Sequence, residues 1–413
     1  VLTAQNGSYT IPLAPGTYTI DVQADLLFQG DHLINNHHYI VIGDYQTYLS
    51  WDGPRSVPPR HTWHEGELLP EGLVGEELAQ FTQDQRSTYK VVRAVSEVEC
   101  LGFFDSVNSY DNTFASLGPC HWTLGILNTG APMDEGELCG YFAFLRHADP
   151  FAFNAAIKQF GARVDENWVN NAGIANGSRL FINGQRKYVG WMALQNESGN
   201  FIRIPENEVE GDYFRSWHWF YRYVMAGRTI QGYRQRMWDM ARIRLRDLRG
   251  VPFPAGVVPN VPVGGGGTRR ATLGDVYTSE RAWGLLLRWH IRFTGHVVSG
   301  GEVGQRIQGA YGHANIPAAA GDPTTWGNAQ ETQLIDGIMQ EVDDLVNAAP
   351  AGSNLRRSRE GFRRTMRYVR DWPDWAAPGA QNPRGYRLTN TIGNLSTDRD
   401  SFHFDNSNLP PAP

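Results

Sequence analysis

From about Glu76 to Arg370 the apolar residues return at helical spacing in one segment after another, and this periodicity most limits what the chain can fold into. It predicts helices over residues 83–99, 134–147, 150–160, 213–225, 230–248, 333–347 and 355–370. In the second of these, Leu138, Tyr141, Phe142 and Leu145 share one face. Thr278-Ser279-Glu280 reads as the cap of a further helix running to Trp289. A hairpin is expected at residues 180–191, with Asn183-Gly184 as its turn. Gly264 to Gly267, inside a Gly/Pro-rich stretch, read as flexible linker rather than as a phosphate loop.

The first residues follow a different rule. Residues 16–22 alternate as a half-buried strand does, and residues 39–42 and 45–49 read as two more strands, before Pro54, Pro58 and Pro59 interrupt regular structure. The expected architecture is therefore mainly α (α+β). A small β-rich module over residues 1–68 precedes a helical domain with a small β-hairpin region and insertions over residues 69–413. The alternative is that the early strands form one edge of the main domain.

Composition removes several classes. With 413 residues, 41% hydrophobic and 12% aromatic, the chain has enough apolar side chains for a large core. No apolar run approaches the roughly 20 residues of a membrane span. The net charge of −6 argues against nucleic acid as the main partner. The arginine-rich stretch of Arg356, Arg357, Arg359, Arg363, Arg364, Arg367 and Arg370 also carries the apolar face Phe362, Met366 and Val369, so it reads as a solvated or salt-bridged helix. Three cysteines are too few for a disulfide framework. The chain begins at Val1 without a basic-then-apolar leader, which fits a processed product and a trimmed chain alike.

The segment with chemistry begins at the end of the 83–99 helix. At about 100° per residue, Val92 and Val95 flank Glu99, and Val91 and Val98 extend the same apolar arc. Glu97 falls on the opposite side, near Lys90 and Arg93, as a solvated charge. Glu99 therefore faces the core, next to a helix stop at Gly102. Burial and the negative pole of the helix both disfavour a carboxylate and are expected to raise its pKa. A carboxylic acid that keeps its proton near neutral pH is what a general acid requires. The other reading of the same wheel is a structural glutamate paired with an arginine from another helix. Glu99 locked onto an arginine, or sealed away from any groove that a sugar polymer could enter, would take the enzymatic reading with it.

Glu99-Cys100-Leu101-Gly102, a polar stretch through Tyr110-Asp111-Asn112, and then Ser116-Leu117-Gly118-Pro119-Cys120-His121-Trp122-Thr123 together resemble the lysozyme-like superfamily over roughly residues 90–125. That superfamily includes goose-type lysozymes, soluble lytic transglycosylases and many phage muramidases. The resemblance implies a lysozyme-like helical domain that cleaves peptidoglycan, with Glu99 as the acid that protonates the glycosidic oxygen. Cys100 stands where Ser is common, and His121 stands where Gln is usual. A second carboxylate is sought in Asp111, ahead of Asp105, with an Asx-turn as the alternative role of either. Ser116, Gly118, His121 and Thr123 would line the saccharide cleft, and Tyr110 and Trp122 would stack on sugar faces. Trp217, Trp219, Trp283 and Trp289 fit core packing better.

The resemblance needs no cofactor and no metal. It implies peptidoglycan or a related polysaccharide as partner, and an extracellular or particle-associated location. The 1–68 module would serve docking or wall binding, on a phage virion, an injection particle or a secreted toxin. A non-catalytic component with a degenerate lysozyme-like fold, and a chitin or chitosan glycosidase, are the alternatives. Two rivals are weaker. Cys120-His121 invites a thiol mechanism with His147 or His290 as base, although adjacent residues rarely form such a pair. Zinc catalysis is the other: His61-x-x-His64-Glu65 does not follow the zincin order, and although this cluster or His32, His37 and His38 beside Asp31 could bind a metal, loops collect histidines without one.

Overall fold

A computed structural model describes residues 28–34, 37–42, 81–100, 107–108, 116–123, 125–126, 134–135, 137–160, 162–165, 191–195, 201–203, 223, 226–227, 230–371 and 394–409. The described residues are mainly helical. In chain order they form β1 (Phe28–Ile34), β2 (His37–Ile42), α1 (Gln83–Cys100), β3 (Val107–Asn108), β4 (Ser116–Leu117), β5 (Trp122–Thr123), β6 (Gly125–Ile126) and β7 (Asp134–Glu135). There follow α2 (Glu137–Ala148), α3 (Pro150–Ala156), β8 (Ala162–Asp165), β9 (Trp191–Gln195), β10 (Phe201–Arg203) and α4 (Gln231–Arg249). The remainder is β11 (Val261–Val263), β12 (Gly267–Arg269), α5 (Leu273–Val276), α6 (Glu280–Arg292), α7 (Thr294–Val297), β13 (Val298–Ser299), β14 (Glu302–Val303), α8 (Gln305–His313), α9 (Asn328–Asn347) and α10 (Asn354–Arg370).

The centre of the helical part is α6. Ser279 caps it by accepting from the amide of Ala282, as the sequence suggested. Residues from Ala282 through His290 are buried, because α1, α9 and α10 all pack around this helix. A helix surrounded in this way is largely apolar, and the polar residues it buries, Glu280, Arg288 and His290, need partners. Gly284 lets α10 and the C-terminal segment come close, since a Cβ there would lie 3.0 Å from Val369 and 3.2 Å from Leu395. Trp283 and Trp289 are core residues, as expected. One contiguous apolar cluster joins α1, α2, α3, α4, α6, α8, α9 and α10.

Helix α1 begins with a reciprocal cap: Thr82 Oγ1 accepts from the Gln85 amide, and Gln85 Oε1 accepts from the Thr82 amide. Its apolar arc of Val91, Val92, Val95 and Val98 is buried as the wheel required. Its opposite arc departs from expectation. Arg93 is buried and Lys90 pairs with Glu280 at 3.1 Å, because α6 and α10 cover α1 on more than one side. Residues 394–409 run as an irregular strap over the same helices. Thr88 Oγ1 donates to the carbonyl of His403 (3.1 Å), and Arg242 holds Asp405 (2.8 Å).

Three further differences have local causes. The glycine run is a hairpin turn rather than a linker, with Val263 opposite Gly267 and with Gly265 and Gly266 at φ +82° and +80°. The helix expected from residue 134 starts at Glu137, since Asp134–Glu135 pair with Gly125–Ile126. The 333–347 helix starts earlier, at Asn328, where Gln330 Oε1 accepts from the Gly327 amide. Among the first residues, β2 covers the strand expected at residues 39–42, and β1 pairs with it antiparallel. The strands expected at 16–22 and 45–49, the turn of the 180–191 hairpin and most of the 213–225 helix lie outside the described residues. No helix among the described residues is long and apolar enough to cross a membrane.

Candidate active site

The two halves of the Glu99 motif meet in space. Glu99 is the penultimate residue of α1, and its Oε2 lies 3.5 Å from His121 Nδ1. His121 is held there by a hairpin. Strand β4 pairs with β5, Ser116 opposite Thr123 and Leu117 opposite Trp122, and β3 adds a third strand. The His121 amide donates to the Gly118 carbonyl at 2.9 Å to close the turn. Gly118 sits at φ +73°, and a Cβ there would fall 2.7 Å from the Trp122 ring, so the turn requires glycine. His121 itself takes φ +53°, a left-handed conformation uncommon outside glycine and found at strained functional turns.

The Glu99 carboxylate does not stand alone. Arg288 of α6 places Nη1 2.5 Å from Oε1. The guanidinium is anchored in turn by Nε donating to Thr365 Oγ1 (3.1 Å), and it lies over the Phe362 ring. Burial pushes the Glu99 carboxyl upward. The Arg288 cation, then the hydrogen bond and charge of His121, then Arg292, outweigh it and hold the pKa below the ordinary glutamate value. This corrects the expectation of a raised pKa. The helix pole and the apolar arc are present, but an arginine on a neighbouring helix dominates both. Of the two readings of the wheel, the arginine pair is the one observed.

Behind this pair lies a second charged layer. Arg244 of α4 is buried, forms an ion pair with Glu137, and donates to His290 Nδ1 at 2.9 Å. Because arginine only donates, His290 Nδ1 accepts and the ring proton sits on Nε2. Burial, reinforced by Arg244, keeps His290 neutral with a pKa far below the usual histidine range. Cys120 is a buried free thiol, and burial pushes its pKa up to about 12 despite Arg244. A thiol at that value is not a nucleophile at neutral pH, and His290 is engaged elsewhere, so the Cys120–His290 reading fails on both members.

Other expected site residues divide clearly. Ser116 and Gly118 are buried parts of the turn, and Thr123 is half-buried on β5. Trp122 is a correction: it is fully buried and stacks on Tyr141 with centroids 5.6 Å apart, so it packs the core and offers no face to a sugar. Asp105, Tyr110 and Asp111 lie outside the described residues, as do the side chains of Cys100, His32, His37 and His38 and the whole of His61 and His64. Sequence reasoning missed Arg288, Arg244 and Glu137, and named His290 only as a base for Cys120. The available signal was the run Leu285-Leu286-Leu287-Arg288-Trp289-His290: charged and polar residues inside an otherwise apolar helix imply buried partners.

The described residues are thus mainly helical and bring a hairpin histidine to an arginine-held glutamate at a helix end. In comparisons with protein-family models, curated proteins and solved structures, the chain matches none.

Proposed function

We propose that the protein is a glycoside-cleaving enzyme acting on peptidoglycan, a muramidase or lytic transglycosylase, with Glu99 as the acting carboxyl. The observation that carries this reading is the approach of His121 to Glu99. A helix-terminal glutamate and a strained glycine-containing turn, read from sequence as two halves of one lysozyme-like site, come within 3.5 Å of each other. The arginine contact meets the condition set against this reading, which therefore stands only where the pair opens: Arg288 stores Glu99 as a carboxylate in the ligand-free chain. The acid step then requires either an acidic medium or a saccharide that draws the guanidinium away, so that burial again favours the protonated form. The second carboxylate is assigned to Asp111, with Asp105 behind it. The proposal extends to residues 1–68 as a module that docks the enzyme on a wall or a carrier particle, outside the producing cell.

One observation favours a second reading. The 2.5 Å contact of Arg288 with Glu99 suits a structural ion pair in a non-catalytic component of a phage or injection particle that keeps a degenerate lysozyme-like fold. Clearing of purified cell walls, followed by turbidity, separates the two. The enzyme reading expects clearing by the full chain and none by a folded Glu99→Gln variant. Equal clearing by the variant removes Glu99 from the mechanism, and no clearing by either chain favours the structural reading. Defined chitin or chitosan oligosaccharides, with product analysis, test the remaining substrate class.

A further inference from the structure

Helices α8 and α9 bring three side chains together well away in sequence from the Glu99 motif. Each helix carries a glycine that permits the approach. A Cβ at Gly337 would fall 2.2 Å from the Ala310 carbonyl oxygen, and one at Gly309 would fall 2.6 Å from Glu341 Oε2. Glu341 and Asp344, three residues apart, therefore face α8 from one side of α9. They meet His313 in the last turn of α8: its Nε2 lies 3.2 Å from Glu341 Oε2 and 3.0 Å from Asp344 Oδ2.

The outer oxygens of both carboxylates are held from outside this group. Arg306 Nη1 donates to Glu341 Oε1 at 2.8 Å, and Gln340 Nε2 donates to Asp344 Oδ1 at 3.2 Å. One oxygen of each carboxylate is thus fixed, and the other is turned to the imidazole. That is how carboxylates are oriented when the inner oxygen serves as a metal ligand. The three inner atoms lie within 4.8 Å of one another. Tetrahedral zinc, with bonds of about 2.0–2.1 Å, sets its ligands about 3.3 Å apart, near the two separations seen here.

We infer that His313, Glu341 and Asp344 form a binding site for one divalent transition-metal ion of the zinc class. An imidazole in the set favours such an ion over calcium or magnesium, which take oxygen ligands. Two carboxylates against the single charge of Arg306 leave a net negative site for the cation. Glu341 is buried, whereas His313 and Asp344 are about one-third and nearly one-half exposed, so the ion enters from solvent and keeps an open position for water. The competing account is a protonated His313 bridging the two carboxylates with no ion.

Metal titration of the full chain, stripped with chelator, decides between them. Zinc is followed by calorimetry and cobalt by its visible absorption. The expected result is one saturable zinc per chain and an intense cobalt spectrum with a nitrogen–oxygen ligand set. Asp344→Asn and His313→Gln should each weaken binding by at least about 10–100-fold while leaving far-ultraviolet circular dichroism unchanged. Both positions are partly exposed, so these variants are safer than one at buried Glu341; should one fail to fold, the other still decides. Absence of saturable binding, or unchanged affinity in the folded variants, overturns the site. Neither result touches the wall-clearing assay, because the two sites share no residue.

Discussion

Glu331 and Glu99 are both glutamates held by an arginine inside the helical core, yet their surroundings differ in kind. Glu331 is completely buried, and every donor around it has a purpose in the fold. The amides of Thr278 and Ser279, which lead into α6, donate to it at 3.1 and 2.8 Å, and Arg399 of the C-terminal strap donates at 2.7 Å. Arg399 also donates to the carbonyls of Asp275 and Pro323. The result ties a helix start, a loop and the strap into one node. Among the described residues, Glu99 receives one arginine and one histidine and no backbone amide, and its histidine neighbour is a quarter exposed at a left-handed backbone position. A buried glutamate that serves only the fold is surrounded by backbone donors. One that depends on side chains alone can be released by moving them.

The largest effect should come from making the same change at both sites. Glu331→Gln puts an amide NH2 among three donors and leaves Arg399 without its charge partner, so it should cost about 3–5 kcal/mol. Glu99→Gln also leaves the buried Arg288 without its charge partner, but its carbonyl still serves the guanidinium and its NH2 meets only His121, so it should cost less, about 1–3 kcal/mol. Urea denaturation midpoints, compared at constant slope, measure both. Equal losses would erase the distinction and place Glu99 among the structural glutamates.

The next effect is on pH dependence. Burial raises the Glu99 carboxyl, but Arg288 and then His121 bring it below its ordinary value. Its stabilising contribution is therefore full above the unfolded pKa of about 4.3 and is lost as pH falls through the lower folded value. Activity that needs the protonated acid runs the other way: it appears only as pH falls toward that value. Wall clearing should thus decline from acidic toward neutral pH. Arg288→Gln should move this alkaline limb upward by removing the cation that holds the carboxylate. A limb that stays in place in the variant would show that Arg288 does not set the protonation of Glu99.

How much of this was legible from sequence depended on the distance over which each feature is determined. The Ser279 cap of α6 and the apolar arc of α1 follow from neighbours within a turn or two, and both appear as read. The turn that holds His121 came only with the resemblance, although its need for glycine is local, set by the Trp122 ring four residues on. The ionisation of Glu99 was misread because it is set by Arg288, on a helix far along the chain. Periodicity marks which face is buried but not which charge waits there. Trp122 was misassigned for a related reason: an aromatic next to a site residue can face the opposite side of a two-residue strand, and here it does so, onto Tyr141. The α8–α9 cluster was illegible because two helix-packing glycines, rather than any ligand spacing, bring its members together.

The smallest effect concerns charge pairs that lack burial. On α10, Arg363 and Arg367 both reach Asp343 of α9 at 3.3 Å, and all three side chains are partly exposed. Asp343→Asn removes the partner of two arginines at once, more pairs than Glu331→Gln breaks. If pair number governed stability, it would be the costlier change. Water already solvates these groups and salt screens them, so the expected loss is below about 1 kcal/mol and should vanish near 1 M salt. Denaturation midpoints at low and high salt measure it. A salt-independent loss as large as that of Glu331→Gln would mean that burial is not what separates structural charge pairs from incidental ones in this protein, and the contrast between Glu331 and Glu99 would need another basis.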